Sequence, residues 1–222
     1  MRRRLAVVVG AAAVLAGGAL AAATPVSPGP GAVVSGSQPS FSWSLPASEQ
    51  SQALYIADNP DLTPDGRFYD ENVIDSAVLT SDQRQWSLNR PLYAGRYWWL
   101  VWSSDRSTAE SFYSTPTDFT IPVSLNLFPV RTVRSTFLHL LAVRVRWTAN
   151  VQALTVRARV LEGKKVVWQQ TQPQVNAIGF PYSTSFAWYR PRRIKRGTRL
   201  RFEVSLRAQG VHKTRLLVVR AP

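Results

Sequence analysis

The chain contains no cysteine and only two histidines and one methionine among its 222 residues. The absence of cysteine excludes disulfides, thiolate metal sites, cysteine nucleophiles and a lipid-modified N-terminal cysteine. The two histidines, His139 and His212, fall in segments of strand character and at no metal-ligand spacing. Packing must therefore stabilise the chain, and an apolar share of 45% with eight tryptophans supplies enough core-forming side chains.

The N-terminus has the three parts of an export signal. Three arginines at positions 2–4 precede an apolar run from Leu5 to Leu20, and the small residues Ala21–Ala23 follow. We predict a signal peptide over residues 1–23 that is cleaved before Thr24. The apolar stretch from Leu5 to Ala23 is 19 residues long, close to the ~20 residues that span a bilayer, so an uncleaved signal anchor is the alternative. Export without disulfides is typical of bacteria, so the expected localisation is secreted or at a bacterial cell surface.

Acidic residues are nearly absent from the second half of the chain, although the first half has an excess of them. Residues 24–122 carry five arginines against eleven acidic residues, a net charge of −6. Residues 123–222 carry nineteen Lys and Arg against Glu162 and Glu203 alone, a net charge of +17. The sign changes beside Pro122, where a short strand-like segment ends. We therefore predict two domains, residues 24–122 and residues 123–222.

The first predicted domain alternates apolar and polar residues at the period of a β-strand. The clearest segments are Pro39–Trp43, Leu92–Val101 and Phe119–Ile121. They resemble the core-tryptophan strand, the penultimate strand and the last strand of bacterial fibronectin type III domains. The resemblance implies an immunoglobulin-like β-sandwich in which Tyr97 is the corner tyrosine. That family consists chiefly of spacer and binding modules.

The strand after Tyr97 also predicts an outer surface on the first domain. If Trp99 and Val101 face inward, the alternate residues face outward: Trp98, Leu100 and Trp102. Exposed indole rings suit stacking on sugars or contact with a protein. These residues are therefore a candidate partner or glycan surface, and cover by neighbouring side chains is the alternative.

Alternation is stronger in the second predicted domain. Apolar residues occupy every second position in residues 141–147, 154–160 and 200–206, and residues 211–219 predict a terminal strand. The turn into a strand at Ile194–Leu200 loosely resembles bacterial immunoglobulin-like domains. The predicted fold is therefore all-β, with two tandem immunoglobulin-like or fibronectin type III-like β-sandwiches behind an N-terminal signal helix.

Arginine dominates the outward positions of these strands and an adjoining turn. Guanidinium groups bind phosphate and carboxylate bidentately, and dense charge of one sign attracts anions. A solvated surface in an arginine-biased host is the alternative. We predict an anion-binding surface made of Arg144, Arg146, Arg157, Arg159, Arg192, Arg193, Lys195, Arg196, Arg199, Arg201 and Arg207.

No catalytic motif accompanies this surface, because Gly-rich phosphate loops, nucleophile elbows and sugar-hydrolase motifs are absent. We predict a non-catalytic bacterial envelope binding module, without cofactor or metal, whose basic domain contacts an anionic cell-envelope polymer or an anionic membrane surface. Nucleic acid is disfavoured as a partner because the chain has an export signal and no recognition helix. The alternative is a structural or scaffold subunit that binds an acidic protein partner, and a carbohydrate-active hydrolase comes third.

Overall fold

The computed structural model describes residues 22–45, 49–105, 109–135 and 138–222. These residues form sixteen β-strands and one short 3-10 helix, Asp70–Asn72, so the all-β prediction is confirmed. Residues 1–21 of the predicted signal segment, residues 1–23, lie outside the described residues. Within the described ranges, no helix has the length and apolarity needed to span a bilayer.

Nine strands precede Pro122 and form two sheets. Strands β1, β3 and β6 form the smaller sheet, and the larger has the order β2-β9-β7-β4-β5 with β8 beside β7. This pair of sheets is the sandwich that the fibronectin type III resemblance implies. The strands are β1 (Thr24–Ser27), β2 (Ala32–Val33), β3 (Ser40–Ser44), β4 (Glu49–Ala57), β5 (Val73–Leu79), β6 (Gln85–Ser87), β7 (Gly95–Asp105), β8 (Ser111–Tyr113) and β9 (Thr117–Ile121).

The core between these sheets holds the residues that alternation places inward. Trp43 and Trp99 are buried, and both indole N–H groups have hydrogen-bond acceptors. Tyr97 is buried and donates its hydroxyl to the Tyr93 carbonyl at 3.0 Å, which is the geometry of a tyrosine corner. Val101 is also buried. The inward-facing prediction for β7 is therefore confirmed.

Seven further strands form a single sheet that is organised around one long strand, β12. The first half of β12 pairs with β10, β11 and β14, and its second half pairs with β13 and β15. The last strand, β16, pairs with β15. The strands are β10 (Leu125–Leu127), β11 (Arg131–Ser135), β12 (Leu140–Glu162), β13 (Lys165–Ile178), β14 (Tyr182–Tyr189), β15 (Arg199–Ala208) and β16 (Val211–Arg220).

A change of phase within β12 folds this sheet over its core. Odd positions are buried from Leu141 to Val151, even positions are buried from Leu154 to Val160, and Gln152 lies exposed between the two runs. Both halves therefore point their apolar side chains into one core, and their outer faces point away from each other. The predicted second sandwich thus has two layers that share a strand, in place of two separate sheets.

One buried asparagine joins the two sets of strands, which we call the first and second domains. The backbone N–H of Ser124 donates to Asn150 Oδ1 at 2.7 Å, and Asn150 Nδ2 donates to the Pro122 carbonyl at 2.9 Å. The Ala94 N–H donates to the backbone carbonyl of Asn150 at 2.6 Å. Asn150 therefore fixes the connection between the domains and holds a loop of the first domain against the second.

Candidate anion-binding surfaces

The predicted basic residues are divided between two faces of the second domain. Arg144 and Arg146 lie on the outer face of the first half of β12, whereas Arg157 and Arg159 lie on the outer face of its second half. Because the halves enclose the core, these faces point in opposite directions. The predicted basic residues therefore do not all lie on one face, and anion binding by them stays a prediction. Three arginines of β15 lie on the same face as Arg157 and Arg159, which we call the second face: Arg199, Arg201 and Arg207.

The second face partly satisfies its own charges. Arg159 lies opposite Glu203, and its Nε donates to Glu203 Oε1 at 2.8 Å. Arg201 donates to the Gly163 carbonyl at 2.6 Å. A cation opposite a carboxylate is a stabilising cross-strand pair, so Arg159 is less available to an external anion.

The basic turn between β14 and β15 is held in place by one buried side chain and one hydrogen-bonded arginine. Ile194 is buried, and Arg190 donates to its carbonyl at 2.5 Å. The guanidinium of Arg190 also lies 3.1 Å from His139 Nδ1. His139 itself lies in a turn, with φ +50°. Its predicted position in a strand is therefore wrong. The predicted cations around this anchor are all exposed: Arg192, Arg193, Lys195 and Arg196.

The first face, which we call the groove face, brings three arginines together. Arg131 of β11 lies directly opposite Arg144, and Arg146 lies opposite Ser183 of β14. All three arginine side chains are exposed. They line a groove of about 370 Å³ whose remaining lining residues are Pro129, Pro181 and Ser183. Arg131 was absent from the sequence prediction because β11 is a short edge strand without alternating burial.

Buried groups beneath the groove hold its walls in place. The Trp147 ring stacks on Tyr182 with centroids 4.7 Å apart, and Trp147 Nε1 donates to Thr184 Oγ1 at 3.1 Å. On the other side, the Phe128 N–H donates to the Arg146 carbonyl at 3.0 Å. Both walls are thus attached to β12, the strand that carries Arg144 and Arg146.

The strands that form the groove face, β11, β14 and the first half of β12, contain no acidic residue. Residues 123–161 contain no acidic residue, and β14 contains none. Like charges directly opposite each other in a sheet are destabilising, so the Arg131 and Arg144 pair has an unfavourable interaction that an anion would relieve. Guanidinium groups bind both phosphate and carboxylate oxygens, so the three arginines suit an anionic group of either kind.

The candidate surface on the first domain is less open than predicted. Leu100 is fully buried, because the segment between β4 and β5 places Phe68 over it. Trp98 is half-buried beside this cluster, with the Arg96 guanidinium 5.2 Å from its ring. Trp102 is half-buried. The predicted exposure is thus wrong for Leu100, and the two tryptophans are separated by a covered position.

No protein-family model matches the chain, and no curated protein matches it. Solved structures with similar strand arrangements include a two-domain fibronectin type III segment of chicken tenascin, with a TM-score of 0.44 and 11% identity over 84% of this chain and 93% of that one. A biofilm-associated protein BSP domain has a TM-score of 0.28 and 13% identity over 88% of this chain and 29% of that one. A DUF3823 family protein of Bacteroides ovatus has a TM-score of 0.33 and 14% identity over 91% of this chain and 100% of that one. These likenesses assign no ligand or activity to this chain.

Proposed function

We propose that the chain is an exported, non-catalytic binding protein of a bacterial envelope whose second domain contacts anionic envelope components. The observation that carries this proposal is unpaired positive charge. Among the described residues of the second domain, Arg159 and Glu203 form the one ion pair, whereas residues 123–222 contain nineteen Lys and Arg. Positive charge without an internal partner attracts anions and accelerates their association.

The remainder of the chain is consistent with this role. Two small all-β domains joined by a fixed connection suit a spacer that presents a binding surface, although a fold alone assigns no activity. The predicted export signal would place the basic domain among the anionic polymers and lipid headgroups of an envelope.

A second candidate function is a scaffold that binds an acidic protein. Leu216 and Val218 of β16 are each 58% exposed, and they lie opposite Glu203 and Arg201 on the second face. A mixture of exposed apolar and charged side chains suits a protein interface better than contact with a simple polyanion.

Salt titration separates the two candidates. Residues 22–222 contain every described strand, and this fragment is tested against anionic vesicles and a purified anionic wall polymer. Polyanion binding should weaken steeply as salt rises, because counterions screen exposed charges beyond about 8 Å at physiological ionic strength. A packed protein interface should persist. Absence of binding to both polyanions at low salt would contradict the proposal.

Export has a separate test. Sequencing the N-terminus of the exported protein should give a start at or near Thr24. Ala23 is 4% exposed in the first core, so a product that begins at Ala22 would keep this contact. A membrane-embedded product with an intact Met1 would show that the segment is a signal anchor.

A further inference from the structure

The groove face changes from basic to apolar along its strands. In the row next to the arginines, Val133 and Ala187 lie on either side of Ala142. In the last row, Tyr189 lies opposite Leu140. Val133 is 70% exposed and Tyr189 is 65% exposed. One face therefore has three cations at one end and exposed apolar side chains at the other.

Aromatic side chains also flank the groove itself. Phe128 is 40% exposed and precedes the wall residue Pro129. Phe180 is 73% exposed and precedes the opposite wall residue, Pro181. An exposed aromatic residue therefore directly precedes a wall residue on each side of the groove.

This combination selects among the anionic partners. A water-soluble phosphate polymer would satisfy the arginines and leave Val133, Tyr189 and Phe180 in water. A bilayer surface offers phosphate groups and, directly beneath them, an apolar layer in which such side chains are stable. Tyrosine is also enriched at the level of lipid headgroups. The groove, at about 370 Å³, is large enough for a headgroup phosphate.

We propose that the groove face docks on an anionic phospholipid bilayer, with Arg131, Arg144 and Arg146 binding lipid phosphates and Val133 and Tyr189 entering the headgroup region. This inference rests on the proposed function and names its ligand. The second face, with its internal ion pair, points away from the bilayer in this orientation.

The test compares charge-matched variants of residues 22–222 on phosphatidylglycerol-containing vesicles. The double variant Arg144→Gln/Arg146→Gln should bind about 25-fold more weakly, because each cation near an anionic membrane contributes about fivefold. The control Arg157→Gln/Arg207→Gln removes the same charge from the second face and should change binding less than about threefold. Circular dichroism and thermal melting establish that each variant is folded.

A third variant, Val133→Ser/Tyr189→Ser, tests the apolar contribution. It should weaken vesicle binding about fivefold or more at a salt concentration that screens the arginines, because apolar burial does not depend on screening. The binding of this variant to a soluble phosphodiester polymer should equal that of the parent.

The outcomes separate this inference from the proposed function. Equal losses in the two arginine variants, or binding to the polymer without binding to vesicles, would overturn the membrane-docking face and leave the proposed function standing. Absence of binding to both ligands would overturn both.

Discussion

In the first domain Arg67, Arg90 and Arg96 each form an ion pair with an aspartate, whereas the described part of the second domain has one such pair, Arg159 with Glu203. Exposed pairs add little stability, but they use positive charge that a ligand would otherwise meet. The contrast teaches that pairing, more than net charge, decides which cations are available. In the second domain most cations remain available.

The outer faces differ in the same way. In the first domain, the segment between β4 and β5 lies over the sheet and buries Leu100 under Phe68. Within that segment the Thr63 hydroxyl donates to Asp65 and lowers the pKa of this carboxyl. In the second domain, the described chain leaves Val133 and Tyr189 exposed on the groove face. The first domain therefore covers its outer face around Leu100, although Val78 on the same sheet is 93% exposed, whereas the second domain leaves the apolar part of its groove face open.

The largest effect is expected from uncovering the first domain. Phe68→Ala should lower the free energy of unfolding by about 3–4 kcal/mol, because it removes a buried ring and exposes Leu100. Leu62→Ala in the same segment is the control, and since Leu62 is 38% exposed it should cost less than about 1 kcal/mol. Urea denaturation measures both. If both variants lose a similarly small free energy of unfolding, the segment between β4 and β5 does not protect Leu100 from solvent.

The joint between the domains comes next. Asn150→Ala should cost about 2–3 kcal/mol, because it leaves the Ser124 N–H and the Pro122 carbonyl without their partner. Small-angle scattering should also show a wider range of domain orientations. The control is Asn126→Ala, which removes an exposed side-chain bond to Thr148. If both variants lose the same small amount, Asn150 does not fix the joint.

A smaller, pH-dependent change in stability is expected at the tyrosine corner of the first domain, where Tyr97 bonds to Tyr93. Burial raises the pKa of Tyr97 above 10.0. The resulting stabilisation is fully present below the unfolded-state pKa and is lost as pH rises through the folded-state pKa. Tyr97→Phe should cost about 1 kcal/mol at neutral pH through the lost bond to Tyr93, and it should flatten the alkaline decline of the urea midpoint. An unchanged alkaline slope would assign that decline to other groups.

The smallest change in stability would give the second domain a charge pair that it lacks. Ser185→Glu places a carboxylate opposite Arg144 and should stabilise the fold by about 0.5 kcal/mol, the usual size of a cross-strand pair. Vesicle binding should fall about fivefold, because the added carboxylate lowers the net positive charge of the groove face by one. Ser185→Gln is the neutral control. Unchanged binding in the glutamate variant would show that the groove face is not used.

Local alternation predicted much of this fold. Residues 141–147, 154–160 and 200–206 are strands with the expected inward faces, and Trp99 is buried as expected. These predictions succeed because a strand with one buried face repeats every two residues, which is visible in a short stretch of sequence.

The features that create the candidate site depend on distant pairings. Arg131 reaches Arg144 only through the register of β11 on β12, and Phe68 reaches Leu100 only through the path of a loop. Neither register nor loop path leaves a periodic pattern in the sequence. The split of the basic residues follows from the phase change at Gln152, which a short window interprets as the end of a strand.

The course of β12 has a consequence for folding kinetics. It pairs with the returning chain from Glu162 opposite Lys165 to Leu140 opposite Tyr189, and the turn contains Gly163 at φ +59°. Closing this short turn costs little chain entropy, and each further pair extends a ladder that already exists. The second domain therefore has a local folding nucleus. We expect β12 to pair with β13 and β14 before the other strands pair with the opposite edge of β12.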